Sequence, residues 1–427
     1  MSARSEDERI VIAVNALGLG QRPSAWQSEH LDAHAILDAD HWIEVARVAE
    51  RGTLDAVFLA DSPGFSDDPL LRPQGLLEPT ALFATVAAAT DRVGLIATAS
   101  TTFNDPYELA RRLLTLDHLS GGRFGWNIVT TQSGPIARNF GVDDVPDRTT
   151  RYERAYEFTQ LVEALWAGDE VGHHGSQFSF QGRLALPPSP QGHPVLVQAG
   201  GSPGGRRLAG EKAEGVFTAE MTVALARRHY REVKDLAIGA GRDPRSVTVL
   251  PGFALVIGST EAEAARRYDE LEARGPAGYT LKRLSGILGV DVSDYDLDAP
   301  LPAALVDGSD GSLDTATSLS FRETTIGFAV ENGLTVRQLL REYGGYGHPI
   351  IVGTPERIAD TLEDWFTTGA ADGFTVMPDV FPEGLATFVD EVVPLLRARG
   401  LFRQEYGAAT LRGRLAEASG RRAVVSA

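Results

Sequence analysis

The sequence predicts an α/β fold, a closed (β/α)8 barrel of the TIM type with insertion segments. Two observations favour this fold. Apolar runs of strand length alternate with helical segments about eight times along the 427 residues. These runs lack the polar alternation of a strand with one wet face, so we expect a parallel sheet that helices cover. Eight units favour closure into a barrel, and an open doubly wound sheet is the alternative.

The first four units each pair a buried strand with a helix. In the helix at residues 39–50, Trp42, Val45 and Ala49 fall on one face, as an amphipathic helix requires. The predicted strands are residues 10–17, 54–61, 92–101 and 123–131, and the predicted helices are residues 39–50, 79–90, 109–119 and 151–166.

The second half repeats this alternation. The helix at residues 223–239 ends at a glycine, a common helix stop signal. The predicted strands are residues 193–201, 215–220, 247–258 and 372–378, and the predicted helices are residues 204–213, 223–239, 260–274, 355–368 and 385–398. We therefore expect a single barrel domain over residues 1–427.

Two segments fall outside the repeat. Residues 275–346 are rich in Gly, Asp, Ser and Pro and lie between the last two units. Long insertions in compact domains are commonly functional, so we expect a lid within the barrel domain, with a disordered decoration as the alternative. The tail at residues 400–427 is basic, and we expect it to pack on the barrel exterior or on a neighbouring subunit.

The composition narrows the function. With 40 Lys and Arg against 58 Asp and Glu, the net charge of −18 disfavours nucleic-acid and anionic-membrane binding. The absence of cysteine excludes disulfide scaffolds, thiolate catalysis, Cys-ligated zinc and iron–sulfur clusters. No targeting signal is evident, and the most apolar window, residues 81–100, contains Asp91 and Arg92. We expect a cytoplasmic protein.

Sequence motifs give little support for a metal site or for a nucleophilic catalytic residue. His30 and His34 stand four residues apart, but no third ligand follows at metal spacing, so we expect a polar loop and no metal. His173 and His174 lie between glycines and are interpreted as a surface turn. The sequence contains no phosphate loop ending in GK[ST].

The loop at residues 199–207, AGGSPGGRR, follows a predicted strand and begins a predicted helix. Gly200 and Gly201 allow a ligand to approach the backbone closely. Ser202 suits the helix N-cap, and Pro203 suits the first helical position. The free N–H groups and the dipole of such a helix favour a phosphate, although a capped helix without a ligand fits the same pattern.

The strand ends carry a second signal, because residues at the carboxyl ends of barrel strands face the active site. They are mostly hydrogen-bonding groups with only two formal charges. This suits a planar, polar-edged cofactor that brings its own reactivity. The residues are Asn15, Asp61, residues 98–100, residues 127–131, Gln198 and Glu220.

Several segments resemble the bacterial luciferase-like flavin monooxygenase superfamily, in the branch of the nitrilotriacetate, dibenzothiophene-sulfone and long-chain alkane monooxygenases. The resemblance covers nearly the whole chain. The segments are SGGRFGWNIVTT at 120–131, ARNFG at 137–141, RYERAYEF at 151–158, HPVLVQAGGSPGGRRLAGEKAEGVFTA at 193–219 and GTPERIADTLEDWF at 353–366.

The resemblance implies the oxygenase component of a two-component monooxygenase. It implies FMN as the cofactor, used as FMNH2 that an NAD(P)H-dependent flavin reductase supplies by diffusion. One atom of O2 would enter a small organic substrate through a flavin hydroperoxide. The resemblance also implies a homo-oligomer. It names neither the substrate nor the catalytic residues.

The resemblance further implies which residues bind the cofactor. Asp61 would lie near the flavin ring, and Tyr152 and Ser202 would hold the phosphate. Arg148 stands where the family pattern has a His, and a guanidinium also binds phosphate. The full set is Asp61, Thr98, Thr131, Arg148, Tyr152 and Ser202.

Three alternatives stay open at this stage. The same fold supports hydride transfer with a deazaflavin or flavin, a non-catalytic flavin-binding subunit, or an enzyme acting on a phosphorylated metabolite. Asn127 and Gln198 are candidates for hydrogen bonds to the cofactor ring. Asn15, His34 and His348 are candidate groups on the substrate side.

Overall fold

The structure of the chain, a computed structural model, describes residues 7–64, 77–275, 279–309, 319–343 and 348–421. The strands are β1 (Val11–Asn15), β2 (Ala56–Leu59), β3 (Gly94–Ser100), β4 (Phe124–Val129), β5 (Val171–His174), β6 (Ser179–Gly182), β7 (Val195–Gln198), β8 (Gly215–Thr218), β9 (Thr248–Ile257), β10 (Ile350–Gly353) and β11 (Gly373–Pro378).

The helices lie mostly between the strands in sequence. They are α1 (Ala39–Arg51), α2 (Pro79–Ala88), α3 (Pro106–Leu119), α4 (Gly134–Asn139), α5 (Arg148–Trp166), α6 (Pro203–Lys212), α7 (Val223–Gly239), α8 (Glu261–Arg274), α9 (Tyr279–Leu288), α10 (Ala303–Asp307), α11 (Leu319–Glu331), α12 (Val336–Tyr343), α13 (Pro355–Thr367), α14 (Glu383–Thr387), α15 (Val393–Ala398) and α16 (Leu411–Ala418). A π-helical turn joins α14 to α15.

Eight parallel strands close into a barrel in the order β1, β2, β3, β4, β7, β8, β9 and β11, and β11 pairs with β1. The long strand β9 pairs with β8 through its first half and with β10 through its second half, so β10 continues the sheet beyond the end of β8. The predicted (β/α)8 barrel is confirmed. Each predicted strand contains one of the eight barrel strands.

The barrel strands are buried on both faces, which explains their unbroken apolar sequence. On β1, Val11 and Ala13 belong to a cluster inside the barrel, while Ile12 and Val14 pack in the larger cluster between the sheet and the helices. Strand side chains alternate in direction, so one run of apolar residues fills both layers.

The tail is placed differently from the prediction. Leu411 and Leu415 of α16 join the cluster inside the barrel rather than its outer surface. Leu411 reaches the first residue of β3, since a β-carbon at Gly94 would lie 2.9 Å from its Cδ1 atom. Small residues at the amino-terminal ends of the barrel strands leave an opening at that end of the barrel, and α16 closes this opening. The expectation of packing on the exterior was therefore wrong.

The described part of residues 275–346 contains the four helices α9, α10, α11 and α12. These helices share an apolar cluster that includes Leu284, Leu288 and Leu339. The hydroxyl of Tyr268 on α8 donates a hydrogen bond of 2.6 Å to the carbonyl of Arg341 on α12, which ties this segment to the barrel. Its interpretation as a lid stays a prediction.

His173 and His174 lie in strand β5, which forms an antiparallel hairpin with β6, so their interpretation as a surface turn was wrong. The Nε2 atom of His173 lies 2.9 Å from Oε1 of Glu157 on α5. Glu157 also accepts hydrogen bonds from the backbone N–H groups of Gln177 and Phe178, which hold the hairpin on the helix. Separately, none of the described helices is long and apolar enough to cross a membrane.

Candidate active site

Two polar side chains pair inside the barrel near the carboxyl ends of β3 and β4. Thr98 and Asn127 are register partners, and Nδ2 of Asn127 donates a hydrogen bond of 2.9 Å to Oγ1 of Thr98. The Oδ1 atoms of Asn127 and Asn15 are buried and have no hydrogen-bond partner among the described residues. Buried amide oxygens normally have a partner, so these two mark a site for a hydrogen-bond donor.

A second pair joins the same two strands one step further along. The hydroxyl oxygens of Ser100 and Thr131 lie 2.8 Å apart, and the backbone N–H of Thr131 donates to the hydroxyl of Thr102 at 3.1 Å. Thr131 is half-buried. These bonds fix the position of Thr131 just beyond the end of β4.

The loop after β7 packs tightly against Tyr152 of α5. A β-carbon at Gly200 would lie 2.7 Å from the hydroxyl oxygen of Tyr152, and one at Gly204 would lie 2.8 Å from its Cγ atom. A β-carbon at Gly205 would lie 2.5 Å from the carbonyl oxygen of Gly200. The three glycines are therefore required for this close approach, and we call the loop with Tyr152 the glycine cradle.

The cradle lies at the amino end of α6. Ser202 is the N-cap residue, as predicted, and its hydroxyl accepts a hydrogen bond of 3.2 Å from the N–H of Gly205. Pro203 occupies the first turn. The first N–H groups of a helix lack intrahelical partners and carry the positive end of its dipole. This end of α6 therefore favours an anion.

Arg148 and Tyr152 stand one turn apart on α5, so both belong to the same face of the helix. The pKa of the Arg151 guanidinium is lowered mainly by burial and, to a smaller extent, by the nearby charge of Arg148. Arg151 itself is buried and donates to the carbonyl of Pro146 at 2.6 Å. Arg148 is half-buried and stands beside the cradle residue Tyr152 in the same helix face.

Asp61 follows β2 and is half-buried. Burial, followed by the nearby charge of Glu78, raises its pKa to about 6. A carboxyl group with this pKa titrates close to neutral pH, as groups in functional sites often do.

The structure brings the predicted residues to one end of the barrel in two groups. Tyr152, Ser202 and Arg148 belong to the cradle and its helix α5, and Thr98 and Thr131 belong to the ends of β3 and β4. Asp61 stands at the end of the adjacent strand β2.

Two candidate residues from the sequence do not point into the site. Val197 points into the barrel, so its neighbour Gln198 on the same strand points outward. The Oε1 atom of Gln198 accepts a hydrogen bond of 2.8 Å from the N–H of Gly200. Gln198 therefore supports the cradle from outside. His34 is exposed and lies 3.3 Å from Asp32, and no group of metal-ligating side chains occurs in the described ranges.

A match to the family model for luciferase-like monooxygenases extends over residues 21–372. The chain belongs to this family. It is 38% identical to N-acetyl-S-(2-succino)cysteine monooxygenase of Bacillus subtilis, covering 96% of each chain. It is 39% identical to nitrilotriacetate monooxygenase component A of Aminobacter aminovorans, covering 93% of this chain and 94% of that one. A riboflavin lyase solved with modified FMN and riboflavin superposes with a TM-score of 0.84, at 29% identity over 97% of each chain.

This luciferase-like monooxygenase contains a buried pair that could not be predicted from the sequence. The Nδ1 atom of His229 on α7 lies 2.9 Å from Oε1 of Glu220, just after β8, and both side chains are about one-tenth exposed or less. Glu220 was noted only as a strand end. His229 falls within an otherwise ordinary amphipathic helix, so no local signal in the sequence marks it.

Proposed function

We propose that this chain is the oxygenase component of an FMNH2-dependent two-component monooxygenase, which inserts one atom of O2 into a small organic substrate. The observation that carries the proposal is the glycine cradle against Tyr152 at the amino end of α6, with Arg148 one helical turn away. The free N–H groups of a helix amino end, beside an arginine and a tyrosine hydroxyl, suit the terminal phosphate of FMN.

The residues fit FMN at both ends of the molecule. A β-carbon at Gly204 would displace Tyr152, so the glycine keeps the Tyr152 ring against the amino end of α6, where the phosphate would lie. Inside the barrel, the unpartnered amide oxygens of Asn15 and Asn127 can accept from the N–H groups of an isoalloxazine edge. Reduced FMN, when bound, supplies the electrons that let O2 oxygenate the substrate.

The chain itself has two tasks in this proposal. Arg148, Tyr152 and Ser202 bind and orient the phosphate, and Thr98, Asn127 and Thr131 hold hydrogen-bonding groups against the ring. The second task is to exclude water from the reacting face until substrate is present. We propose that the helices α9 to α12, which are tied to the barrel through Tyr268 and Arg341, act as the lid.

The proposal includes a partner. The relative from Aminobacter aminovorans is named as component A, which supports a separate NAD(P)H-dependent flavin reductase that supplies FMNH2 by diffusion. We expect a homo-oligomer in the cytoplasm and assign no catalytic residue here.

The direct test is an anaerobic titration of the purified chain with FMNH2 and with FMN, followed through quenching of tryptophan fluorescence. We expect FMNH2 to bind at micromolar or lower concentration, and to bind at least as tightly as FMN. A reduced deazaflavin serves as the matched control. Tighter binding of the deazaflavin, or no binding of FMNH2, would favour hydride transfer or a phosphorylated metabolite instead.

A second measurement separates an enzyme from a non-catalytic flavin-binding subunit. With a flavin reductase, NADH and FMN, a true oxygenase forms an oxygenated product in the presence of its substrate. A binding subunit takes up FMNH2 but yields only hydrogen peroxide with every substrate offered.

A further inference from the structure

A cavity lies at the amino-terminal end of the barrel, opposite the candidate active site. The described residues enclose about 510 Å³ there, which is within the range of about 300–1,000 Å³ that small-molecule sites occupy. Val11 and Thr248, the first residues of β1 and β9, line it together with helices α7 and α16. Its described lining contains none of the residues predicted to bind FMN, and we call it the basal cavity.

One wall of the basal cavity is fixed by its own hydrogen bonds. The ammonium of buried Lys234 donates to the carboxylate of Asp372 at 2.7 Å, to the carbonyl of Pro244 at 3.0 Å and to the carbonyl of Val247. The hydroxyl of Tyr230 donates to the other oxygen of Asp372 at 2.9 Å. All three donors of the ammonium are used, and its charge is balanced by Asp372. This wall is therefore formed before any ligand binds.

The basal cavity also has apolar surface. Val11, Leu415 and Ala418 are buried and line it from β1 and α16. Ile238 lines it from the last turn of α7, and 56% of this residue is exposed. A ligand with an apolar body would remove this surface from water, which is favourable.

The positive charge of the basal cavity comes mainly from arginines on α7. Arg227 and Arg231 stand one turn apart, line the cavity and are exposed. Nε of Arg231 donates to the carbonyl of Arg227 at 3.2 Å, and in the described part of the chain neither guanidinium pairs with a carboxylate. Arg228, by contrast, pairs with Glu232 at 3.3 Å.

The cavity lining differs in charge from the rest of the chain. Five basic and three acidic side chains line it, whereas the whole chain has a net charge of −18. A local excess of guanidinium groups attracts an anion, and the planar guanidinium matches a carboxylate or a sulfonate in shape and in donors.

We propose that the basal cavity is a second ligand site, and that it binds a small organic anion with one carboxylate or sulfonate on an apolar body. Arg227 and Arg231 would bind the acid group, and Ile238 and Leu415 would contact the body. The site lies at the opposite end of the barrel from the glycine cradle, so the ligand is neither FMN nor the substrate. This inference does not depend on the proposed function.

The test is isothermal titration calorimetry of the full chain with 2-naphthoate, in the presence of excess FMN. The uncharged 2-naphthamide has the same ring system and is the control probe. We expect one naphthoate to bind per chain with a dissociation constant below about 1 mM, and the amide to bind about tenfold or more weakly.

Three variants on α7 locate the bound probe. R227Q and R231Q should each weaken naphthoate binding about fivefold or more, because each removes a charge-assisted hydrogen bond. R228Q changes the net charge by the same amount but alters an arginine outside the cavity lining, so it should bind like the wild type. I238S should weaken the binding of both probes, since it removes apolar contact that they share.

Three results would overturn the inference. They are no binding of naphthoate, equal binding of naphthoate and naphthamide, and equal naphthoate affinity in R227Q, R231Q and R228Q. None of these results bears on the FMNH2 titration, so the two proposals fail separately.

Discussion

The side-chain amide of Asn127 is fixed by Thr98, whose hydroxyl accepts its N–H at 2.9 Å across adjacent strands of the barrel. Both residues are buried. Because Nδ2 is used in this bond, Oδ1 is the atom that stays available, and it lacks a partner among the residues described. The pair therefore presents an acceptor, rather than a donor, to a ligand in the mouth.

Thr98→Val tests this orientation. The substitution keeps the shape of residue 98 but removes the acceptor, so the Asn127 amide is free to rotate. We expect FMN to bind about 5- to 10-fold more weakly, which corresponds to the loss of about one net hydrogen bond. A fluorescence titration measures the change, and Thr115→Val, on the exposed face of α3, is the matched control. Equal affinity in the two variants would refute the role of the pair.

Gly204→Ala tests the cradle. The new β-carbon would lie 2.8 Å from Cγ of Tyr152, so either the ring or the loop must move. We expect FMN affinity to fall by about tenfold or more, since Tyr152 is displaced from the place where the phosphate would lie. Gly239→Ala at the end of α7 has no atom within 4 Å of its new carbon and should leave affinity unchanged. If both variants bind FMN like the wild type, the glycine cradle does not hold the phosphate.

Arg148→Gln tests the charge beside the cradle. Removing a charge-assisted hydrogen bond costs about 1.5–3 kcal/mol, so FMN should bind about 10- to 100-fold more weakly. Riboflavin lacks the phosphate, and its affinity should stay the same. The ratio of the two dissociation constants is therefore the readout, and Arg138→Gln, at an exposed position on α4, controls for net charge. An unchanged ratio in R148Q would place the phosphate elsewhere.

The barrel and the amino end of α6 could be predicted from the sequence because both depend on local patterns. Each barrel strand is a buried apolar run bounded by turn residues, and α6 begins at a serine followed by a proline. Ser202 could be assigned as an N-cap from its neighbours alone.

Features that depend on distant contacts were not predictable. Gly252 and His348 are far apart in sequence, and only the closed barrel brings the imidazole into the space that the glycine leaves. The same holds for Leu411, which fills the barrel opening from the end of the chain. No periodicity or motif predicts such a long-range contact, because the local sequence pattern of each residue is compatible with other positions in the fold.

Asp61 predicts a pH dependence of stability. Its pKa rises from 3.8 to about 6 in the folded chain, so the folded state binds the proton more tightly than the unfolded state does. The stabilising effect of protonation is complete below about pH 4 and is lost as the pH rises through 6. Asp61→Asn should therefore raise the free energy of unfolding at pH 7 by about 2 kcal/mol, and by little at pH 4.

Urea denaturation of D61N and the wild type across this range measures the effect. Burial also raises the pKa of Asp117 to about 6. Because Asp117 is present in both D61N and the wild type, its contribution cancels when the two proteins are compared. A difference in the free energy of unfolding that stays constant from pH 4 to pH 7 would contradict the prediction for Asp61.

The most direct test of oxygenase function follows oxygen atoms. The chain is combined with a flavin reductase, NADH, FMN and 18O2, and a panel of small organic compounds is screened by mass spectrometry. We predict a product that carries one 18O atom, formed only when both FMN and the chain are present. Products that form without 18O, or that form equally well with a deazaflavin and no O2, would contradict the account.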